Sequence, residues 1–259
     1  MNLREVDKEK CIGCGKCVKD CITQYLSLVE VNDGIFKASF KERGRCIDCG
    51  HCNAICPQRA ISGGKIDELK ECNDDFLRMM GTKRTVRHYT RGALIPQDKM
   101  DRIILAGQSA PTEKNRKSAR ILLIKTELKD IYNKALDWLV AEVEKTGPIN
   151  PNYAQTIAMD KNRDEILWNA EYLVAFVGLP SSRTDASIAS ERMQLEAWNL
   201  GIGSGYRGDM KDAINNVEEL RETLGIKKNE ECLVTFAMGM TSQKYLSPAI
   251  KTNRKVEYR

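Results

Sequence analysis

Eight of the ten cysteines in this 259-residue chain fall between Cys11 and Cys56, in two groups of identical spacing. The first is Cys11-x2-Cys14-x2-Cys17-x3-Cys21. The second is Cys46-x2-Cys49-x2-Cys52-x3-Cys56, followed by Pro57. Neighbours repeat as well, CIGCGKC against CIDCGHC, so the segment is an internal duplication. The N-terminus, MNLREVDKEK, is charged at once and has no apolar core, so a secretory leader is not expected and the location is read as cytoplasmic. In a reducing compartment, thiols at this density ligate metal rather than pair as disulfides. Structural zinc takes four ligands, usually from two separated C-x2-C pairs, and c-type haem needs C-x-x-C-H. Neither fits four cysteines packed this closely, twice.

The spacing resembles the two-cluster bacterial ferredoxins over residues 1–64. Three thiolates within seven residues let one loop wrap three irons of a [4Fe–4S] cubane, and the fourth thiolate comes from elsewhere. The resemblance implies crossed ligation. Cluster one takes Cys11, Cys14, Cys17 and Cys56; cluster two takes Cys46, Cys49, Cys52 and Cys21. One departure is Ile22, where the second group has a proline after its last cysteine; the backbone near cluster two is expected to differ there. Residues 25–40 read as a hairpin around Asn32-Asp33-Gly34. Residues 1–64 carry ten Lys/Arg and eight Asp/Glu. Free ferredoxins are usually acidic, and a tethered electron wire needs no charged docking face. His51, between two ligands, reads as an exposed loop histidine.

Beyond a linker at residues 65–80 the pattern mixes helices and strands. Helices are expected at 98–110, 129–145, 185–200 and 217–224, and strands at 119–125, 172–178 and 232–238. These give an α+β layer fold. A G-x-G-x-x-G string at Gly203, Gly205 and Gly208 follows a helix, whereas a dinucleotide fingerprint follows a strand. It reads as a helix cap and loop.

Two further strings are Lys83-Arg84-Thr85-Val86-Arg87 and Ala110-Pro111-Thr112-Glu113-Lys114-Asn115. In this order they resemble the FMN-dependent nitroreductase family, over residues 81–259. The fold class that follows is a small ferredoxin-like iron–sulfur domain ahead of a nitroreductase-like α+β domain. The resemblance implies that Lys83, Arg84 and Thr85 hold the FMN phosphate and ribityl chain, as cations and a hydroxyl suit a dianion. Arg87 would face the flavin pyrimidine edge. Pro111, Thr112 and Asn115 would contact the flavin of a partner subunit in a homodimer. Arg207 and Gly208 would lie near the flavin's reactive edge, and Lys251 and Arg254 would reach the phosphate. The family's Q-P-W reads here as Lys117-Ser118-Ala119, which removes the usual contacts at that point.

The formal charge of +5 is scattered, with no basic block. Two clusters and the FMN phosphate would each bring about −2, so the excess matches what the cofactors need and nucleic acid is not expected as a partner. No apolar run is long enough to span a membrane. The sequence thus predicts an iron–sulfur flavoprotein that passes electrons from two [4Fe–4S] clusters to FMN and on to a nitroaromatic, quinone or activated alkene. Its donor would be free ferredoxin or NAD(P)H. Rival readings are an electron-transfer or redox-sensing protein without small-substrate turnover, and NAD(P)H-to-ferredoxin transfer. A short tether keeps cluster and flavin at an effective concentration on the order of millimolar, and the Cys46–Cys52 cluster is expected nearer the flavin. No residue stands out as a general acid.

Overall fold

The computed structural model describes residues 4–41, 46–47, 49–62, 75–146, 166–245 and 257–259. The chain forms two compact units, Met1–Arg84 with Lys244–Arg259, and Thr85–Gln243. Among the described residues no helix is long and apolar enough to cross a membrane.

The first unit runs β1 (Glu5–Val6), α1 (Lys16–Asp20), β2 (Leu26–Asn32), β3 (Ile35–Phe40), α2 (His51–Ile55), β4 (Ile61–Ser62) and α3 (Asp75–Thr82). β1 pairs with β4 and β2 with β3, both antiparallel. The hairpin turns at Gly34, whose φ of 74° is the left-handed conformation that Asn-Asp-Gly supplies. The duplication is visible in the backbone. α1 is capped by Gly15 at φ 69° and α2 by Gly50 at φ 72°. Each helix ends on the last cysteine of its group in extended conformation, Cys21 at φ −76°, ψ 103° and Cys56 at φ −71°, ψ 116°. Three residues later Gln24 and Arg59 turn left-handed at φ 50° and 49°.

The expected difference after Ile22 is therefore not found. Proline fixes φ and removes its own N–H, and both turns are closed by other backbone bonds, Gln24 N–H to Cys21 O at 3.0 Å and Arg59 N–H to Cys56 O at 3.3 Å. The reading of His51 is also corrected. It lies on α2, 6% exposed, with the Tyr245 ring edge-on at 5.6 Å between centroids.

The second unit runs α4 (Gln97–Gln108), β5 (Arg120–Ile124), α5 (Leu128–Thr146), β6 (Tyr172–Gly178), α6 (Arg183–Asn199), β7 (Ile202–Tyr206), α7 (Gly208–Asn216), α8 (Glu218–Thr223) and β8 (Glu231–Met240). Four strands form one antiparallel sheet in the order β5-β6-β8-β7. β6 and β8 are central, which is why their sequences are near-continuous apolar runs rather than alternating ones. Phe176 and Phe236 anchor the core between them. α6 buries Ala186, Ala189, Ser190, Met193, Gln194 and Ala197, one stripe at helical spacing. Small residues let α4 approach closely: a Cβ on Gly107 would stand 2.6 Å from Met193 Cγ.

The glycine string is the main departure from the expected layout. Ile202–Tyr206 is a strand and α7 opens at Gly208, the strand-then-helix order that the sequence reading denied. The strand glycines are nonetheless taken up by packing. A Cβ on Gly203 would stand 2.8 Å from Val86 Cγ1, and one on Gly205 2.7 Å from Thr85 Cγ2. The segment at Thr85–Val86 lies on β7, Thr85 bridging to Ser204 and Val86 N–H donating to Ser204 O at 2.9 Å.

Candidate functional site

All nine described cysteines are free thiols. Cys17 is buried on α1. Burial, then the neighbouring thiols Cys56, Cys14 and Cys11, push it up to about 11. Cys52 is buried on α2. Burial pushes it up to about 12, with Arg4 opposing and Cys49 and Cys21 adding. Cys56 is thus among the neighbours of Cys17, with Cys11 and Cys14, and Cys21 among those of Cys52, with Cys49. Cys11, Cys14, Cys17 and Cys56 line one cavity, closed by Ile12, Pro57 and Ile61. Cys46 and Cys49 are half-buried.

A metal held at this cavity would take the four sulfurs as thiolates. Backbone donors already point at the sulfurs. Ala38 N–H donates to Cys11 Sγ at 3.4 Å, Tyr25 N–H to Cys21 Sγ at 3.3 Å, and Ala60 N–H to Cys56 Sγ at 3.3 Å. The last two repeat one relation, four residues on, in both halves of the duplication. Such bonds stabilise negative charge on sulfur and help set an iron–sulfur potential. Among the described residues no three donors converge on a single-ion point; a cubane takes one thiolate on each iron and has no need of that convergence. The residues fit iron–sulfur clusters.

In the second unit the cationic residues meet at Trp168, which the sequence reading did not single out. The Arg207 guanidinium lies 4.3 Å from the indole centroid and that of Arg87 6.0 Å. Arg207 is buried; its Nη1 donates to Ile166 O at 2.6 Å and its Nε stands 3.4 Å from Asp209 Oδ1. Trp168 and Asn169 have φ of 49° and 61°. Left-handed backbone is costly for a bulky aromatic and persists where the surroundings hold it. Among the described residues nothing lies within 4 Å of where a Cβ on Gly208, at the start of α7, would be, so they leave its backbone open to close approach. Thr85 lies against Gly205 on β7, two residues before Arg207.

The other expected residues are dispersed. Lys83 is half-buried, its N–H bonded to Met79 O at the end of α3. Arg84 is 3% exposed, within the first unit, and its electrostatic neighbours are Tyr245, Cys49 and Asp20. Pro111 and Asn115 are exposed and Thr112 half-buried on the loop after α4, where Thr112 Oγ1 accepts from Lys117 N–H at 3.1 Å. Beside that loop a cavity of about 640 Å³ is lined by Ile104, Gly107, Thr112, Ile121, Ala186 and Ala189, among others. Lys251 and Arg254 lie outside the described residues.

A paired thiol cage and a four-stranded antiparallel α+β domain together define a two-part redox protein. Comparison with known proteins is specific. The nitroreductase family matches residues 81–240, and the 4Fe-4S dicluster domain matches residues 10–61. Ferredoxin-3 of Rhodobacter capsulatus is 35% identical over 74 residues, 21% of this chain and 73% of that protein. A component of the ion-translocating oxidoreductase complex of Methanosarcina acetivorans is 38% identical over 60 residues, 23% of this chain but 20% of that protein. Among solved structures, a nitroreductase with bound FMN from Desulfitobacterium hafniense superposes with a TM-score of 0.59 at 17% identity, covering 73% of this chain and all of that one. Another with bound FMN, from Bacteroides fragilis, gives 0.55 at 20%, covering 71% and 96%. The chain belongs to the nitroreductase family and carries a ferredoxin domain of the 4Fe-4S dicluster type ahead of it; it is an iron–sulfur oxidoreductase.

Proposed function

We propose that the protein passes electrons from two [4Fe–4S] clusters to FMN and from there to a small organic acceptor, a nitroaromatic, quinone or activated alkene. The observation that carries this reading is the crossed thiol grouping, Cys17 with Cys56 and Cys52 with Cys21, in a chain whose second unit has the nitroreductase fold. Cluster one then takes Cys11, Cys14, Cys17 and Cys56, and cluster two Cys46, Cys49, Cys52 and Cys21. The cofactors supply one-electron entry and two-electron delivery; the chain supplies binding, orientation and electrostatics.

On the flavin side, Lys83 and Thr85 present a cation and a hydroxyl suited to a phosphate, with Lys251 and Arg254 as further cations. Arg87 and Arg207, gathered at Trp168, offer positive charge to the ring edge where reduced flavin is anionic. The open backbone at Gly208 allows a planar ring to approach. Pro111, Thr112 and Asn115 serve the flavin of the second subunit in a homodimer.

The test is anaerobic reduction of purified holoprotein with NADH, NADPH and reduced ferredoxin in turn, following cluster and flavin absorbance. Reduction of both chromophores, reversed by an organic acceptor, supports the reading. Bound zinc, iron near half the roughly eight per chain that two cubanes require, or a flavin that no donor reduces would overturn it.

A further inference from the structure

The second unit holds a cavity that the function proposed above does not use. Its volume is about 640 Å³, and it lies between the end of α4, β5 and the start of α6, with Phe176 of β6 on its wall. Protein interiors pack as densely as organic crystals, with few voids larger than a water molecule, so a space of this size is not packing slack. Pockets of roughly 300–1,000 Å³ hold small organic ligands. Ile104, Ala119, Ile121, Phe176, Ala186 and Ala189 make the apolar wall. The cavity also lies where the chain departs from the family string. Lys117 and Ala119, which stand in place of the Q and the W, both line it.

The polar rim decides what fits. Arg120 is already engaged, its Nη2 donating to Gly225 O at 2.6 Å and to Glu230 Oε2 at 3.0 Å. Asp185, the one carboxylate among the described lining residues, accepts Glu113 N–H through Oδ2 at 3.1 Å. Thr112 Oγ1 accepts Lys117 N–H at 3.1 Å, which leaves its own proton to donate. Among the described residues the Lys117 ammonium and the Gln108 amide enter no hydrogen bond or ion pair. Net charge selects nothing here: Arg120 is paired with Glu230, and Lys117 and Asp185 are of opposite sign. What the rim has to spare is donors, suited to the acceptor oxygen of an uncharged molecule. The rim is also strained. Lys114, Asn115 and Lys117 hold left-handed backbone at φ 50°, 56° and 49°, and such residues gather at ligand clamps.

We propose that this cavity binds a small, uncharged, apolar carbonyl compound of the quinone or cyclic-ketone class. Its rings lie against the apolar wall, and its oxygen takes hydrogen bonds from Lys117 and Thr112. The binding is non-covalent. The inference rests on the function proposed above in one respect only: among the acceptors named there it singles out those that carry a carbonyl. Thr112 stands both on this rim and in the string assigned to the partner subunit's flavin, so the ligand is held beside the loop that serves that flavin.

The experiment is isothermal titration calorimetry of the oxidised, full-length holoprotein with tetralone, a ketone that does not alkylate cysteines. Tetralin and naphthoate are the hydrocarbon and the anion of similar size. Tetralone should bind once per chain, tighter than either by about fivefold, the worth of one net hydrogen bond. Lys117→Met should weaken tetralone by about the same factor and leave tetralin unchanged. Ala119→Trp should abolish binding by filling the cavity, and Ala186→Leu does so from another wall if Ala119→Trp fails to fold. Absence of tetralone binding at millimolar concentration would overturn the inference, as would tetralin or naphthoate binding as tightly. Unchanged affinity in both wall variants would place the ligand elsewhere. Loss of FMN together with tetralone in those variants would assign the cavity to the flavin. Binding that emerges only on dilution to monomer would give the cavity to a second copy of the chain. No electron moves in this titration, so the flavin reading fails separately, when reduced donors leave the flavin oxidised whatever tetralone does.

Discussion

Arg207 lays its guanidinium 4.3 Å from the centroid of the Trp168 ring, and the same side chain holds the carbonyl of Ile166 two residues earlier. One arginine thus fixes both faces of a left-handed turn that the backbone alone disfavours. A desolvated cation–π contact and a buried charged hydrogen bond together contribute about 3 kcal/mol. Arg207→Met should lower the unfolding free energy in urea by that amount, and Arg207→Lys, which keeps the charge but not the flat stack, by less. Equal urea midpoints for all three proteins would show that the turn holds itself.

Cys56→Ser should disturb the cluster built on Cys11, Cys14 and Cys17 and spare the one built on the rest of its own group. EPR of the reduced variant distinguishes the two signals. Loss of the signal belonging to Cys46, Cys49 and Cys52 would contradict the crossed arrangement.

Gly13 combines a φ of 69° with a backbone wall: an added Cβ would lie 2.2 Å from Phe36 O. A carbonyl cannot swing aside as a side-chain tip can. Gly13→Ala should therefore open the loop that carries Cys11 and Cys14 and reduce iron from roughly eight to roughly four per chain. Iron and sulfide analysis checks this, and full iron content would contradict it.

Asn215 replaces a neighbouring strand at the start of β8. Its Nδ2 donates to Cys232 O at 2.9 Å and its Oδ1 accepts from Cys232 N–H at 2.8 Å. Asn215→Ala leaves two backbone groups unpaired and should cost about 2–3 kcal/mol, read as a drop in unfolding free energy.

Burial pushes the Cys232 thiol up to about 12, Lys211 opposing and Asp212 adding. The unfolded chain loses this proton first, near the ordinary value of 9.0. The stability contributed is complete below pH 9 and falls as pH rises toward 12, with a slope of up to about 1.4 kcal/mol per pH unit. Wild type should lose stability faster than Cys232→Ala between pH 9 and 11. Parallel curves would remove Cys232 as the cause.

The parts legible in the sequence are those written in local chemistry. The cysteine spacing, the Asn32-Asp33-Gly34 turn and the apolar runs of β6 and β8 each carry their own signal. β7 was missed because Ile202–Tyr206 has glycines where a strand usually has branched residues; besides its ladder with β8, it receives the Thr85–Val86 segment, far away in sequence, pressed onto those glycines. His51 looked exposed because the ring that covers it, Tyr245, comes near the end of the chain. Trp168 carried no spacing signal, and its role appears only once Arg87 and Arg207 converge on it.

The boundary between the two units is crossed twice, after Arg84 and again after Gln243. The nitroreductase part is therefore followed, as well as preceded, by residues that group with the smaller unit. Its two ends are both owned by the smaller unit, Arg84 on one side and Tyr245 on the other. Anyone excising the ferredoxin by deleting the N-terminus alone would strand Tyr245 without His51 and Asp20, so a clean dissection must remove both ends of the chain together.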